Sequence, residues 1–129
     1  MAKVAYYPGC ALEGSGGPYD RSTRALVKKL GLEMTNLADW NCCGATAYMS
    51  VDEAEAGVLA ARNLAMAENA GPHDLITPCS ACYLVLNKTK HNIEEFPDIR
   101  NRVHRALERH PRGQHHAQHA QQRIDENHC

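Results

Sequence analysis

The sequence predicts an α/β fold: a small, mainly parallel sheet flanked by helices, with cysteine loops at the C-terminal strand ends. Three observations carry that expectation. Short β-prone runs alternate with helical stretches in the order β-α-β-α-β-α. Each strand-like run ends at a group of cysteines. The 129 residues, 43% hydrophobic and 22% charged, have the composition of one globular core. Aromatic residues at 5% leave that core to aliphatic side chains and alanine.

The run 2–7 (AKVAYY) stops at Pro8-Gly9 and reads as the first strand. A glycine-rich loop covers Glu13 to Gly17. Pro18 to Leu30 reads as a helix with Ala25, Leu26 and Leu30 as its apolar stripe and Gly31 as its stop. Leu32 to Leu37 alternates apolar and polar residues, the pattern of a second strand. The second helix opens on a capping box, Ser50 with Glu53. Val51, Ala54, Val58, Ala61 and Ala65 form its apolar face, and Gly71-Pro72 ends it. Asp74 to Thr77 is a third short strand, ended by Pro78. A helix then begins near Tyr83–Leu86, Pro97 breaks it, and Asp98 to Glu108 forms the last one.

The chain divides into a cysteine-rich domain over residues 1–108 and a tail over 109–129. The tail holds five of the eight His, four Gln, and Ile124 as its only aliphatic side chain larger than Ala. Such a segment buries too little surface to offset its ordering entropy, so a mobile tail is expected. The His115-His116-x-x-His119 tract reads as adventitious metal binding, and Cys129 stands outside every pattern. A net charge of −1 (14 Lys+Arg against 15 Asp+Glu) lacks the basic excess of a nucleic-acid binder. The apolar run Ala81–Leu86 falls far short of the roughly 20 residues of a membrane span. The opening residues MAKVAYYPGC show no secretory signal, which makes the cytoplasm the expected location.

The cysteines carry the chemistry. Cys10 is followed by 31 residues, then Cys42-Cys43, then 35 residues, then Cys79-x-x-Cys82. In an open parallel sheet the C-terminal strand ends form one rim. Cysteines distant in sequence should therefore converge there. Thiolates on one rim suit a soft metal centre. Helices starting after the cysteine loops would turn their positive N-terminal ends toward it. Three other readings stay open: a zinc site, a dithiol redox pair, and inert buried thiols. Zinc uses four ligands in a closed tetrahedral site, one fewer than the five grouped cysteines. Pro8 and Pro78 either shape the pocket or simply end strands. Trp40 either shields the site or packs in the core. Arg62 and Tyr83 read as helix-surface side chains, and His73 and His91 as isolated.

Tyr7-Pro8-Gly9-Cys10, Asp39-Trp40-Asn41-Cys42-Cys43-Gly44 and Pro78-Cys79-Ser80-Ala81-Cys82-Tyr83 together resemble the cysteine-rich CCG domain. Ala60-Ala61-Arg62-Asn63-Leu64-Ala65 fits it as well. The resemblance covers roughly residues 1–107 and is strongest to the N-terminal half of the B-type subunit of heterodisulfide reductase. CCG domains occur also in iron–sulfur proteins that oxidise lactate, glycolate or glycerol 3-phosphate, and in a succinate:quinone reductase subunit. The YPGC start and the ARNLA helix favour the heterodisulfide reductase branch.

In that family two CCG domains each hold a non-cubane 4Fe–4S cluster through five cysteines, one of them bridging. The paired clusters reduce the disulfide of coenzyme M and coenzyme B (CoM-S-S-CoB) by one-electron steps. Carried over residue by residue, the cluster ligands are Cys10, Cys42, Cys43, Cys79 and Cys82. The resemblance implies an oxidoreductase subunit with a C-type partner bearing cubane clusters and an A-type flavoprotein partner. This sequence has one CCG domain, so a homodimer or a second CCG chain is expected to complete the site. The alternatives are a non-catalytic electron-transfer or assembly module of an organic-acid oxidoreductase, and a zinc-binding structural domain.

Overall fold

In a computed structural model of the chain, residues 2–45, 47–71 and 74–109 are described. The elements are β1 (Lys3–Tyr6), α1 (Cys10–Glu13), α2 (Gly17–Lys29), β2 (Glu33–Asn36), α3 (Ala47–Val51), α4 (Glu53–Asn69), β3 (Asp74–Ile76), α5 (Ser80–Glu95) and α6 (Pro97–Arg109). The strands form one sheet in the order β2-β1-β3. Both pairings are parallel, with Lys3 opposite Glu33, and Val4 opposite Met34 and Asp74. The α/β expectation is therefore met by a wholly parallel sheet. The ladder runs one step past β1, where the Tyr7 N–H donates to the Ile76 carbonyl at 2.9 Å.

The central strand is buried through Val4, Ala5, Tyr6 and Tyr7. On one side α2 packs against β2 and α1. Helices α3, α5 and α6 gather around α4. One core cluster joins Tyr7, Leu37, Cys43 and Cys82 to Ala60, Met66, Ala67, Val85 and Leu86. A second joins Ala61 to Val103 and Leu107, with Val58 and Ile93 against them.

Four local expectations need correction. The loop from Glu13 to Gly17 is shorter, because Cys10–Glu13 already forms a helical turn and Gly17 starts α2. The apolar stripe of α2 faces solvent: Leu26 is 59% and Leu30 65% exposed. The inward face is instead Asp20, Arg24 and Val27, two of them polar. The Tyr6 hydroxyl donates to Asp20 at 2.6 Å. Arg24 donates to Asp20 at 2.8 Å and to Asn36 at 2.8 Å, with its guanidinium 4.5 Å from the Tyr6 ring centroid. Hydrophobic periodicity cannot find a helix that docks through a polar clamp.

The capping box is displaced as well. Asp52 is the N-cap of α4, accepting from the N–H groups of Ala54 (2.9 Å) and Glu55 (3.1 Å), and Ser50 belongs to α3. Val51, read as apolar face, is 86% exposed on α3. The buried side of α4 is Ala56, Ala60, Ala61, Asn63, Ala65, Met66 and Ala67. It is wider than one stripe because α4 touches the cysteine loops on one side and α6 on another. The last helix runs from Pro97 to Arg109. Apart from Arg109, the expected tail over 109–129, with its His tract and Cys129, lies outside the described residues, as does His73.

Burial raises the Asp20 carboxyl's pKa, but the hydrogen bonds from Arg24 and Tyr6 outweigh it and hold the group below the usual carboxylate value. A lowered folded value means the ionised form adds stability in full above about pH 4. That contribution fades as pH falls through the folded value. Asp20→Asn should therefore flatten the acid limb of the denaturation profile below about pH 4. Urea midpoints for the metal-free protein at each pH check this, and parallel profiles for the two proteins would remove the role assigned to Asp20.

Candidate metal centre

All five predicted cysteines lie just beyond the C-terminal ends of the strands: Cys10 after β1, Cys42 and Cys43 after β2, Cys79 and Cys82 after β3. Parallel register puts those ends on one rim, and the sulfurs meet there. Cys43 Sγ and Cys82 Sγ are 3.2 Å apart and both residues are buried. Cys10 Sγ and Cys42 Sγ are 3.9 Å apart and both residues are exposed. Cys79 borders Cys82, and Cys42 borders Cys43, so the contacts run continuously from Cys10 to Cys79. Among the described residues, no three His, Cys, Asp or Glu side chains are grouped as the ligands of a single metal ion. The sulfurs form a strip with one deep end and one open end.

Local backbone shape makes this possible. Gly9 has φ +79°, and a Cβ there would stand 2.9 Å from Cys82 Sγ. Only glycine lets β1 turn into α1 this close to the sulfur. Gly44 also has φ +79°. Its N–H points to Cys42 Sγ at 3.5 Å, and the next N–H, of Ala45, points to Cys43. Successive amides turned on one spot form an anion-binding concavity. Cys79 is the N-cap of α5, so Cys79 and Cys82 sit at the positive end of a 16-residue helix.

The electrostatics follow. The hydrogen bond from Cys82 lowers the Cys43 pKa to about 6, against burial and helped by the Ala45 N–H. Cys82 is pushed far up, first by that same bond and then by burial. Cys10 is raised by its bond to Cys42, by burial and by the nearby thiolates. In the deep pair Cys43 is the more acidic thiol and Cys82 the one that keeps its proton. Tyr7 lies under the cysteines. Burial first, then the neighbouring Cys82, Cys43 and Cys42, keep its hydroxyl neutral. That hydroxyl donates to the Asn41 carbonyl at 2.9 Å. Trp40 stacks edge-on against the Tyr7 ring at 5.3 Å and is partly buried in the core cluster.

Arg62 is not the free helix-surface residue that the sequence suggested. Its side chain is 14% exposed and bridges to Asp39 at 2.7 Å and to the side chain of Asn41 at 2.7 Å. Tyr83 is 60% exposed, as expected. Sequence reasoning missed Asn63, which is fully buried and bonded to the main chain of Asn41. Its signal was a primary amide amid alanines on a helix, since a buried polar group needs fixed partners.

Two outcomes test this geometry. Gly9→Ala forces on a residue with a side chain an extended, positive-φ backbone open in practice only to glycine, at about 1–3 kcal/mol, and drives a methyl into Cys82. The metal-free variant should lose at least that much stability in urea titration. Mild oxidation of the metal-free protein should join Cys43 to Cys82 before any other pair, read by peptide mapping under mass spectrometry. A first product linking Cys10 to Cys79 would contradict the strip.

The whole of this site lies within residues 4–87, which match the family model of the cysteine-rich domain called CCG. The chain is 34% identical over 92 residues to the 8-methylmenaquinol:fumarate reductase membrane anchor subunit of Wolinella succinogenes, covering 71% of this chain and 32% of that protein. It is 34% identical over 108 residues to a protein of Archaeoglobus profundus that is like the B-type subunit of heterodisulfide reductase (83% of this chain, 36% of that one). It is 28% identical over 101 residues to the B-type subunit of the ferredoxin/F(420)H(2)-dependent CoB-CoM heterodisulfide reductase of Methanosarcina acetivorans (78% and 33%). The chain thus spans about a third of the length of each of these relatives. With the five cysteines, their glycine turns and the match over residues 4–87, the chain belongs to the CCG cysteine-rich domain family.

Proposed function

We propose that residues 1–108 form an iron–sulfur domain of an oxidoreductase subunit, with Cys10, Cys42, Cys43, Cys79 and Cys82 as ligands of a 4Fe–4S cluster of the non-cubane type. The observation that carries this reading is the continuous strip of five thiols at the strand-end rim. The donor set fits: every donor is soft sulfur, and amides of the Gly44 turn and the start of α5 face it. When bound, the cluster supplies one-electron redox chemistry at thiolate-held iron. The chain's own residues do the rest. Cys43 and Cys82 give the deep, water-excluded end. Cys10 and Cys42 give the open end, which a disulfide substrate or an electron partner can reach. Tyr7 and Trp40 close the floor. A strip of paired sulfurs suits a multi-iron cluster better than the tetrahedral site of one zinc ion.

The similarity to B-type chains of heterodisulfide reductase favours reduction of a disulfide of the CoM-S-S-CoB kind, alongside a C-type cluster subunit and an A-type flavoprotein. Tyr83 and Leu84, 60% and 66% exposed directly after Cys82, offer apolar surface for a companion CCG domain or a second copy. The five thiols, none in a disulfide, suit the reducing cytoplasm. Among the described residues no helix is long and apolar enough to cross a membrane. A second reading is favoured by the fumarate reductase relative: a module that passes electrons without touching substrate.

Protein purified without oxygen should carry about four iron and four sulfide per chain. Cys43→Ser should lose most of that iron, because it removes the deep thiolate. Metal analysis checks both, and about one zinc with little iron would overturn the reading. Disulfide turnover by the loaded chain, or its absence in the presence of a reductant, separates substrate chemistry from electron transfer.

A further inference from the structure

Helix α4 buries six apolar side chains and one amide, that of Asn63, which is 0% exposed. A buried amide is tolerated only when its donor and acceptor are both satisfied. Here both go to one residue. Asn63 Oδ1 accepts from the Asn41 N–H at 3.0 Å, and Asn63 Nδ2 donates to the Asn41 carbonyl at 2.7 Å. The side chain thus pairs with the Asn41 main chain as a neighbouring strand would. Asn41 in turn donates its own amide to the carbonyls of Cys42 (2.9 Å) and Leu59 (3.0 Å). The preceding residue of α4 adds a second grip. Arg62 donates to the Asp39 carbonyl at 2.8 Å, to the Asp39 carboxylate at 2.7 Å and to Asn41 Oδ1 at 2.7 Å. Asp39 has φ +53°, a left-handed turn conformation that aspartate accepts more readily than most residues.

None of these bonds involves a cysteine sulfur. The segment just before Cys42 and Cys43 is held by helix α4 and the Tyr7 hydroxyl. The side chains of two adjacent cysteines diverge by default. Something must oppose that tendency while no cation is present. We propose that Arg62 and Asn63 are positioning residues that hold residues 39–41, and through them the sulfurs of Cys42 and Cys43, in their ligand-presenting arrangement before metal arrives. This rests on the reading of the five cysteines as cluster ligands. The chemistry is specific to these side chains. Aspartate at 63 would turn an oxygen toward the Asn41 carbonyl in place of the Nδ2 donor. Lysine at 62 keeps the charge but lacks the planar fork that reaches three acceptors at once.

The test uses the full chain, as wild type, Asn63→Leu and Arg62→Lys. In the metal-free state, hydrogen exchange at the Asn41 amide reads the clamp directly. It should be protected in wild type and exchange about tenfold faster or more in Asn63→Leu. Circular dichroism and thermal melting establish that each variant is folded. If Asn63→Leu fails to fold, Arg62→Lys decides, through faster alkylation of Cys42 at an unchanged helix signal. After reconstitution with iron and sulfide, both variants should show an altered EPR line shape and a shifted midpoint potential, which a merely stabilising role would leave alone. Fast exchange at Asn41 in the wild-type protein without metal would overturn the proposal. So would wild-type spectra and potential in both loaded variants. If wild type takes up no iron, the cluster reading fails, while the exchange and alkylation rates still decide the clamp.

Discussion

Tyr6 and Tyr7 hold the two halves of the molecule to one reference. Successive residues of an extended chain point to opposite faces, and both rings are fully buried. Tyr6 turns to α2 and anchors it through Asp20 and Arg24. Tyr7 turns to the cysteine loops and anchors them through the Asn41 carbonyl and the Trp40 ring. In a chain with 5% aromatics, this dipeptide puts two large rings at the centre of the sheet. The strand that organises the fold is thereby also the strand that registers the sulfurs. A shift of β1 by one residue would exchange the two anchors and dismantle both sides.

Helix α4 explains the chain's reliance on alanine. It meets the cysteine loops on one side and α6 on another, so its buried positions must be small for both neighbours to approach. Small side chains add little burial each, and the helix recovers specificity through polar contacts at its edge. Asp52 caps its start, and Arg62 and Asn63 reach the loop before the double cysteine. The same element that packs the core therefore sets the shape of the site.

The thiols of Cys10, Cys43 and Cys82 each titrate through a neighbouring sulfur. Cys43 is favoured as thiolate because Cys82 gives it a proton to share, and that bond keeps Cys82 protonated. Cys10 is held protonated by its bond to Cys42 at the open end. Amide N–H groups at Gly44 and Ala45 supply partial positive charge but no full counter-charge. A group of sulfurs this close calls for cations, whose binding must displace the shared protons.

By itself the sequence determined the β-α alternation, the strand positions to within a residue or two, the glycine stops at Gly31 and Gly71, and the five cysteines as a set. These are local properties: strand propensity, glycine's access to positive φ, and the rule that parallel strand ends share a rim. Only the tertiary structure decided which sulfurs pair, that α2 docks through Asp20 and Arg24 rather than Leu26 and Leu30, and that Asp52 rather than Ser50 caps α4. It also decided that Arg62 and Asn63 serve the cysteine loop. The reason is physical. Periodicity records where apolar side chains fall along one element. A hydrogen bond between residues 22 positions apart depends on how two elements meet, and that meeting is written in no local pattern.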